Sequence, residues 1–332
     1  MKILYHILYP AGIGDDRTIY DGYRYAFKAL GHEFLPLTER EDLATRLAEV
    51  KPDLFMGSLS LVKPSEAAPI LKRYRKNGGK VLLRVGWLEE SHQELIRLIR
   101  EDMLADIYVS ELELPQFKNW TGKEVYLLQW AASREYHFPV PKNPKYDCDI
   151  VFIGAKLAKK SRFFDQRLLP LTRKYRVKIF GTGWDWTDRY ILRLLSRAER
   201  RLTGTGLFAD WRINRQVPYT QENQAYASAK ISLNFHEEQP GGLRLLNGRT
   251  FKIPACGGFE LCDNVPLVRK YFAEDEVIMA ESDADFFRKV DYYLTHEVER
   301  RHIQEKGTAR AEKDHMYEAR VHQVLDWYNG LA

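Results

Sequence analysis

The feature that most constrains the fold is an alternation of short apolar runs with longer amphipathic stretches, which occurs twice along the chain. In the first half the apolar runs predict strands, beginning at residues 2–9, and the stretches between them predict helices such as Pro64–Lys76. Strands separated by helices of this length are typical of βαβ units and predict a parallel sheet. The alternation resumes with a strand at residues 148–153, so we predict an α/β fold made of two Rossmann-like halves.

Three prolines, Pro139, Pro141 and Pro144, stand close together between the two halves. Proline fixes its own φ and restricts the residue before it, so this stretch predicts an extended linker. We predict a first domain at residues 1–138, a linker at 139–147, a second domain at 148–312 and a C-terminal helix at 313–332 that packs toward the first domain. Open α/β sheets bind ligands outside the carboxyl ends of their strands, so a cleft between the halves is the expected active site.

The composition argues against several classes of protein. No segment approaches the run of about 18 apolar residues that a membrane helix needs, and the N-terminus lacks a signal-peptide pattern, so we expect a cytoplasmic protein. The three cysteines show no CxxC spacing, and we expect Cys256 and Cys262 to be small buried hydrophobes. The net charge of +5 suits an anionic ligand such as a nucleotide diphosphate, and it permits nucleic acid or an acidic membrane surface.

Three glycine-bearing loops follow predicted strands, where a backbone can approach a phosphate closely. The first carries Gly12 and Gly14, and it is equally compatible with a tight turn capped by an aspartate. The second carries Gly154 and Lys156 and predicts a diphosphate cradle. The third, Gly181-Thr182-Gly183-Trp184, is a candidate contact for a nucleobase or ribose, although a tryptophan taken singly is more typical of a core.

The densest group of candidate residues lies between residues 231 and 261, where a strand ends in polar residues and a helix start carries two cations. Fixed cations stabilise the negative charge that develops on a leaving diphosphate. The catalytic candidates in this segment are His236, Arg249 and Lys252. The donor-binding candidates are Asn234, Glu238, Asn247, Arg249, Thr250, Gly257 and Gly258. The sequence shows no metal-ligand spacing, nucleophile elbow or P-loop, so we predict no metal and no required cofactor.

Several motifs of the second half resemble the CgeB-like glycosyltransferases, a family named for spore-maturation proteins. They are DCDIVFIG, VKIFGTGW, AKISLNFH, LNGRTFKIPACGGFEL and HMYEARVHQVLDW, the last with Met316 at the position of a threonine. The resemblance covers residues 147–327, and the first half matches only as a generic acceptor domain. It implies a GT-B fold with two Rossmann-like domains facing a central cleft, a nucleotide-sugar donor bound by the second domain, and no required metal.

The sequence departs from this resemblance at one place. Related retaining transferases carry two glutamates separated by seven residues, whereas the matching positions here are Arg244 and Lys252. The second glutamate usually holds the donor ribose, so ribose recognition must differ, and Glu237 or Glu238 is the alternative carboxylate if the loop is longer. The departure leaves open the identity of the donor, the stereochemical outcome, and whether the protein is an inactive homologue.

Residues 189–201 predict a basic amphipathic helix, in which five arginines are interleaved with Ile191, Leu192, Leu194 and Leu195. We expect the apolar residues to form a core stripe beneath a solvated basic face. The alternative is an acceptor-side patch for nucleic acid or for an anionic lipid surface.

The function predicted from the sequence is transfer of a sugar from a nucleoside-diphosphate sugar, with UDP as the favoured nucleotide, to a hydroxyl of a glycan, a small molecule or DNA. We predict a retaining enzyme, and the resemblance implies that it requires no metal. In such an enzyme the leaving diphosphate helps to deprotonate the acceptor, so we expect positioning and electrostatic residues rather than one obligatory base. Three alternatives remain: a DNA-base glycosyltransferase, a sugar-nucleotide epimerase, which needs a pair of carboxylates, and an inactive homologue that binds sugar nucleotides.

Overall fold

The computed structural model describes residues 1–7, 15–59, 63–86, 88–238 and 244–331. The chain forms two compact units. Unit 1 contains the described residues of the ranges 1–7, 16–129 and 317–331, and unit 2 contains residue 15 and the described residues between 130 and 316.

Unit 1 is built on a six-stranded sheet in the order β2-β1-β3-β4-β5-β6, in which all pairs are parallel. Its strands are β1 (Lys2–Ile7), β2 (Glu33–Thr38), β3 (Leu54–Ser58), β4 (Lys80–Arg84), β5 (Ile107–Ser110) and β6 (Tyr126–Leu127). The helices between them are α1 (Asp15–Ala29), α2 (Leu43–Val50), α3 (Pro64–Lys76), α4 (Gln93–Arg100) and α5 (Phe117–Thr121). The prediction of a parallel sheet in the first half is confirmed.

Local chemistry sets several of these boundaries. The Asp42 carboxylate accepts a hydrogen bond from the Thr45 backbone N–H at 2.8 Å and caps α2. Helix α3 begins with Pro64, whose missing N–H costs nothing at the first helical position, and it is followed by Gly78 with φ of 93°. Periodic burial then places apolar side chains such as Leu71 and Leu83 in one core.

Unit 2 contains a five-stranded parallel sheet in the order β13-β12-β9-β7-β8. Its strands are β7 (Cys148–Ile153), β8 (Val177–Phe180), β9 (Ala229–Asn234), β12 (Glu260–Asp263) and β13 (Ile278–Ala280). A separate antiparallel pair is formed by β10 (Glu237–Glu238) and β11 (Arg244–Leu245). The chain passes from β7 to β8 on one side and returns to β9 on the other, so the topological switch point lies between the carboxyl ends of β7 and β9.

The helical segments of unit 2 include two π-helical stretches, Phe164–Leu168 and Thr187–Leu192, within longer helical runs. The α-helices are α6 (Ser161–Phe163), α7 (Leu169–Leu171), α8 (Arg193–Thr203), α9 (Leu207–Asn214), α10 (Glu222–Ser228), α11 (Arg249–Ala255), α12 (Asp283–Thr295) and α13 (Glu297–Asp314). Short 3₁₀ helices occur at Ala158–Lys160, Tyr219–Gln221 and Pro266–Lys270.

The apolar residues of the basic helix do not form the expected core stripe. Ile191, Leu194 and Leu195 are all exposed, and in α8 the buried side chain is Ser196. That expectation is therefore wrong, because amphipathic spacing shows that one face is apolar without showing that anything packs on it.

The last helix, α14 (Tyr317–Asn329), belongs to unit 1. The Tyr317 ring lies against Gly22, where an added Cβ would come within 2.1 Å of it. The Trp327 ring stacks on Tyr126 with the two centroids 5.0 Å apart. Tertiary packing of aromatic side chains thus holds this helix on the sheet of unit 1.

The three cysteines are free and buried, so the expectation for Cys256 and Cys262 is confirmed. Burial raises the pKa of both thiols well above the usual value. Among the described residues, no helix combines the length and the hydropathy needed to cross a bilayer.

Candidate functional site

The Arg249 side chain lies at the switch point of unit 2. Its guanidinium donates to the Ile153 carbonyl at 2.7 Å, to Asn234 Oδ1 at 3.0 Å and to the Phe235 carbonyl at 3.3 Å. It also lies over the Phe152 ring, 5.3 Å from the centroid. Arg249 therefore joins the carboxyl ends of β7 and β9, the edge at which parallel α/β sheets bind ligands.

Two glycines make this arrangement possible. A Cβ on Gly154 would lie 2.5 Å from Arg249 Nη1, so a larger residue would push the guanidinium away. At Gly181, φ is +126° and a Cβ would lie 2.4 Å from the Gly154 carbonyl oxygen. The predicted loops after β7 and β8 thus touch each other beside Arg249.

The hydrogen-bond partners of the Arg249 guanidinium are neutral groups. The three groups that accept its hydrogen bonds are two backbone carbonyls and an amide. Within the part of the chain that the structure describes, no carboxylate forms an ion pair with it. A half-buried guanidinium with neutral partners is suited to an anionic ligand.

A buried carboxyl, Glu260, shares the Asn234 side chain with Arg249 and is 1% exposed. Its Oε1 accepts from Asn234 Nδ2 at 2.8 Å, whereas its buried Oε2 has no hydrogen-bond partner among the described residues. Burial raises its pKa to about 8, assisted by the charge of Asp263 and opposed by the Asn234 hydrogen bond and the charge of Arg249. Glu260 is therefore mostly protonated at neutral pH and leaves the positive charge of Arg249 uncompensated.

Asn234 is the hub of this group. Its buried amide oxygen accepts from Arg249 and from Asn247 Nδ2, the latter at 2.9 Å, and its Nδ2 also reaches Thr250 Oγ1 at 3.2 Å. The predicted residues Asn234, Asn247, Arg249 and Thr250 are thus brought together, and Glu260 joins them. Sequence reasoning missed Glu260, although a lone acidic residue inside an apolar strand could have indicated it.

His236 lies deeper than expected, with no exposed surface. Its Nδ1 lies 2.9 Å from Asp263 Oδ1, and its Nε2 lies 2.9 Å from Thr250 Oγ1. Asp263 also forms an ion pair with Arg244 at 2.9 Å. Burial opposes the ionisation of Asp263, but His236 and Arg244 hold the pKa of this carboxyl below the usual value. Arg244, at one of the two glutamate positions, therefore serves as a partner for a buried aspartate.

Lys252 is also buried, and its ammonium lies 3.5 Å from Glu222 Oε2. Its charge is therefore balanced inside unit 2. Glu238 is exposed, and its carboxylate lies 3.7 Å from Arg244. Gly257 and Gly258 lie in the turn before β12, at the amino edge of the sheet, and are not near Arg249. Gly12 and Gly14 lie outside the described residues.

A pocket of about 650 Å³ lies between the loops that follow β7 and β8. It is lined by four cations, Lys156, Arg189, Arg193 and Arg212. Lys156 Nζ lies 5.5 Å from the centroid of the Trp184 ring, and Trp184 Nε1 donates to the Gly154 carbonyl at 2.8 Å. The structure thus brings Lys156 and Trp184 to the loop that also contacts Arg249.

The loop after β8 is fixed from beneath by Asp188. The fully buried Asp188 carboxylate accepts from the Gly183 backbone N–H and from Arg212 Nη2, the latter at 2.7 Å. Gly183 itself has φ of +83°. Burial opposes ionisation of Asp188, but the hydrogen bonds from Arg212 and Gly183 hold its pKa below the usual value. Sequence reasoning missed this aspartate, which stands at the start of the basic helix.

Among the described residues, no cluster of three His, Cys, Asp or Glu side chains has the arrangement of a metal site. The cations at this edge, among them Lys156 and Arg249, have the charge that suits a diphosphate.

The comparisons with known proteins agree with this geometry. A sequence profile of the glycosyl transferase-like family matches residues 160–326, half of the chain. No curated protein matches the sequence significantly. The resemblance to the CgeB-like subfamily stays a prediction that depends on the quoted motifs.

Solved structures with the same fold cover nearly the whole chain. A glycosyltransferase from Rickettsia africae aligns with a TM-score of 0.67 at 11% identity, covering 99% of this chain and 98% of that one. Sucrose-phosphate synthase from Thermosynechococcus elongatus aligns with a TM-score of 0.66 at 12% identity, covering 100% and 99%. An alpha-glucosyltransferase in complex with UDP and a 13-mer DNA containing a HMU base aligns with a TM-score of 0.63 at 12% identity, covering 99% of both. The chain therefore belongs to the glycosyl transferase-like family and is a glycosyltransferase with the GT-B fold.

Proposed function

We propose that this enzyme transfers a sugar from a UDP-sugar to a hydroxyl acceptor, with the donor diphosphate bound at Arg249. The observation that carries the proposal is a guanidinium at the switch point of the donor-side sheet that pairs with no carboxylate of the described residues. The solved structure of an alpha-glucosyltransferase that shares the fold is a complex with UDP, which supports a uridine nucleotide.

The hydrogen-bond inventory of Arg249 leaves room for a phosphate. An arginine has five N–H donors, and three of them bind Ile153, Asn234 and Phe235. Two N–H groups therefore remain for ligand oxygens. Because the guanidinium is already oriented by the strand ends, it stabilises the charge that develops on the leaving diphosphate without reorganising.

The other candidates complete the proposal. Lys156 supplies a second cation beside the loop after β7, and the turn at Gly183 and Trp184 contacts the nucleoside. His236 and Lys252 are buried, so we assign them positioning roles: His236 holds Thr250, and Lys252 balances Glu222 next to α11. The exposed Glu238 is the candidate for the donor ribose.

We propose a retaining, metal-independent mechanism, in which the leaving diphosphate helps to deprotonate the acceptor hydroxyl. A fixed guanidinium supplies part of the charge stabilisation that a divalent ion supplies in other enzymes. Transfer is therefore expected to persist in the presence of EDTA, and loss of transfer that Mg²⁺ restores would contradict metal independence.

DNA is one acceptor class with specific support, since the solved structure of the alpha-glucosyltransferase is a complex with DNA. Incubation with radiolabelled UDP-glucose and DNA containing hydroxymethylated bases tests it directly. Transfer to DNA should fall steeply with added salt, because phosphate contacts release counterions. Absence of label in the DNA, with label transferred to a glycan or a small molecule, would exclude this acceptor.

Arg249→Ala tests the donor site. Since hydrogen bonds to charged groups contribute about 1.5–3 kcal/mol each, the variant should bind UDP at least roughly tenfold more weakly. The matched control is Arg173→Ala, an exposed arginine of the same unit, which should bind UDP like the parent. Titration calorimetry measures the affinity, and thermal melting reports folding. Unchanged UDP affinity in Arg249→Ala would show that this residue does not bind the donor. Separately, a reaction product in which the sugar is altered but stays attached to the nucleotide would indicate an epimerase.

A further inference from the structure

The exposed apolar side chains of this protein are concentrated in one segment. Of the fifteen exposed large hydrophobic residues in the described chain, eight lie between residues 186 and 211. Isolated exposed apolar residues are normal on a protein surface, whereas a concentration of them marks an interaction site. The proposed donor site does not use these side chains.

Helix α8 arranges them beside a row of cations. One row repeats every four residues and consists of Arg193, Arg197 and Arg201. A second row with the same spacing begins one residue later and consists of Leu194, Ala198 and Leu202. Successive residues of a helix are rotated by about 100°, so the two rows run side by side along α8. Leu194 is 66% exposed and Leu202 is 85% exposed. We call the exposed side chains of residues 186–202 the amphipathic patch.

Two cations of the amphipathic patch, Arg197 and Arg201, lie outside the pocket beside Lys156 that Arg193 lines, and both are exposed. Arg197 and Arg201 form no ion pair with any residue that the structure describes. By contrast, Arg212, beside the patch, is paired with Asp188 at 2.7 Å. Trp186 and Tyr190, the aromatic residues of the patch, are both exposed and lie 5.7 Å apart between ring centroids.

We propose that the amphipathic patch docks on the surface of an anionic lipid bilayer. A helix with a cationic row next to an apolar row of leucine, and with tryptophan and tyrosine at its start, lies in the plane of the bilayer interface. The arginines face lipid phosphates while the leucines enter the acyl boundary. The proposal concerns where the enzyme acts, and it does not depend on the identity of the sugar donor.

Two other partners explain the patch less well. Nucleic acid would bind the arginines, but the phosphate backbone gains nothing from exposed leucines such as Leu194 and Leu202. A second copy of the chain would bury the leucines, but a two-fold contact would bring the two rows of arginines together. A negatively charged, partly apolar surface satisfies both rows at once.

Co-sedimentation with vesicles tests the proposal on the full chain. The protein should bind vesicles that contain phosphatidylglycerol, should not bind vesicles of phosphatidylcholine alone, and should bind less at high salt. Arg197→Gln/Arg201→Gln should lose roughly 25-fold in partitioning, because each cation near an anionic surface is worth roughly fivefold. Its control is Arg40→Gln/Arg173→Gln, two exposed arginines elsewhere, which should change partitioning little.

The apolar row is tested separately by Leu194→Ser/Leu202→Ser, with Leu30→Ser/Val298→Ser as a control at exposed sites elsewhere. The first variant should lose roughly tenfold or more in vesicle partitioning while binding UDP normally, since leucine burial drives insertion. The control should partition like the parent.

Four results would overturn the proposal. The first is failure to bind anionic vesicles at low salt, and the second is vesicle binding that Leu194→Ser/Leu202→Ser does not change. The third is binding of duplex DNA, with the same dependence on the arginines, in place of vesicle binding. The fourth is a dimer of the parent protein that dissociates in the leucine variant. The third result would assign the amphipathic patch to nucleic acid, and the fourth to a second copy of the chain.

Discussion

Replacing Glu260 by glutamine should remove a pH dependence from the stability of unit 2. In the folded protein, burial raises the pKa of this carboxyl from 4.5 to about 8. Between these two values the folded state keeps the proton and the unfolded state releases it, so the free energy of unfolding falls as pH rises. The contribution is fully present below the unfolded pKa and is lost as the pH passes through the folded pKa.

The size of the effect follows from the shift. Each pKa unit corresponds to about 1.36 kcal/mol, so the full contribution is roughly 4–5 kcal/mol. Glutamine keeps the shape and a hydrogen-bonding oxygen for Asn234, but it cannot ionise. The parent should therefore lose several kcal/mol between about pH 5 and pH 8 relative to Glu260→Gln, which should be the more stable protein at the alkaline end.

Urea unfolding across this pH range measures the difference between the two proteins. The control is Glu274→Gln, an exposed carboxyl of the same unit, which should track the parent at every pH. If the parent and Glu260→Gln respond to pH in parallel, Glu260 is not held protonated by the fold and the reasoning is refuted.

The same variant links stability to the donor site. Once Glu260 ionises, its negative charge is connected to the guanidinium of Arg249 through the side chain of Asn234, which bonds to both. UDP affinity should therefore weaken in the parent as the pH rises above about 8 and should weaken less in Glu260→Gln. Titration calorimetry on both proteins checks this, and equal pH profiles would separate Glu260 from ligand binding.

Two further substitutions probe the loops after β7 and β8. Gly154→Ala places a methyl group 2.5 Å from Arg249 Nη1, so UDP affinity should fall roughly tenfold. The control Gly86→Ala has nothing within 4 Å of the added atom and should leave UDP affinity unchanged in the same titration. Equal UDP affinities of the two variants would show that the guanidinium does not need its present position. Asp188→Ala should lower the free energy of unfolding in urea by about 3–5 kcal/mol, because it leaves Arg212 largely buried and unpaired. Hydrogen bonds lower the pKa of Asp188, so its contribution to stability is present above the unfolded pKa and is lost as the pH falls through the folded pKa. A cost below roughly 1 kcal/mol would mean that Arg212 finds another partner or water.

Much of the secondary structure could be predicted from the sequence because strand and helix patterns are local. The strand at Cys148–Ile153 and the helix at Pro64–Lys76 have the predicted bounds. Short elements were missed, among them β13 and the β10–β11 pair, because two or three residues carry too little periodicity. The π-helical stretch at Thr187–Leu192 was also not predicted, since the sequence there has ordinary helical spacing.

By itself, the sequence determined the class of fold, the glycine loops after β7 and β8, and a candidate set that included Asn234, Arg249 and Thr250. Only the tertiary structure decided which of these side chains meet. It placed His236 and Lys252 in buried pairs with Asp263 and Glu222, and it added Glu260 to the group around Asn234. The physical reason is that the burial and the net charge of a polar group depend on partners from distant strands, which no local pattern of residues specifies.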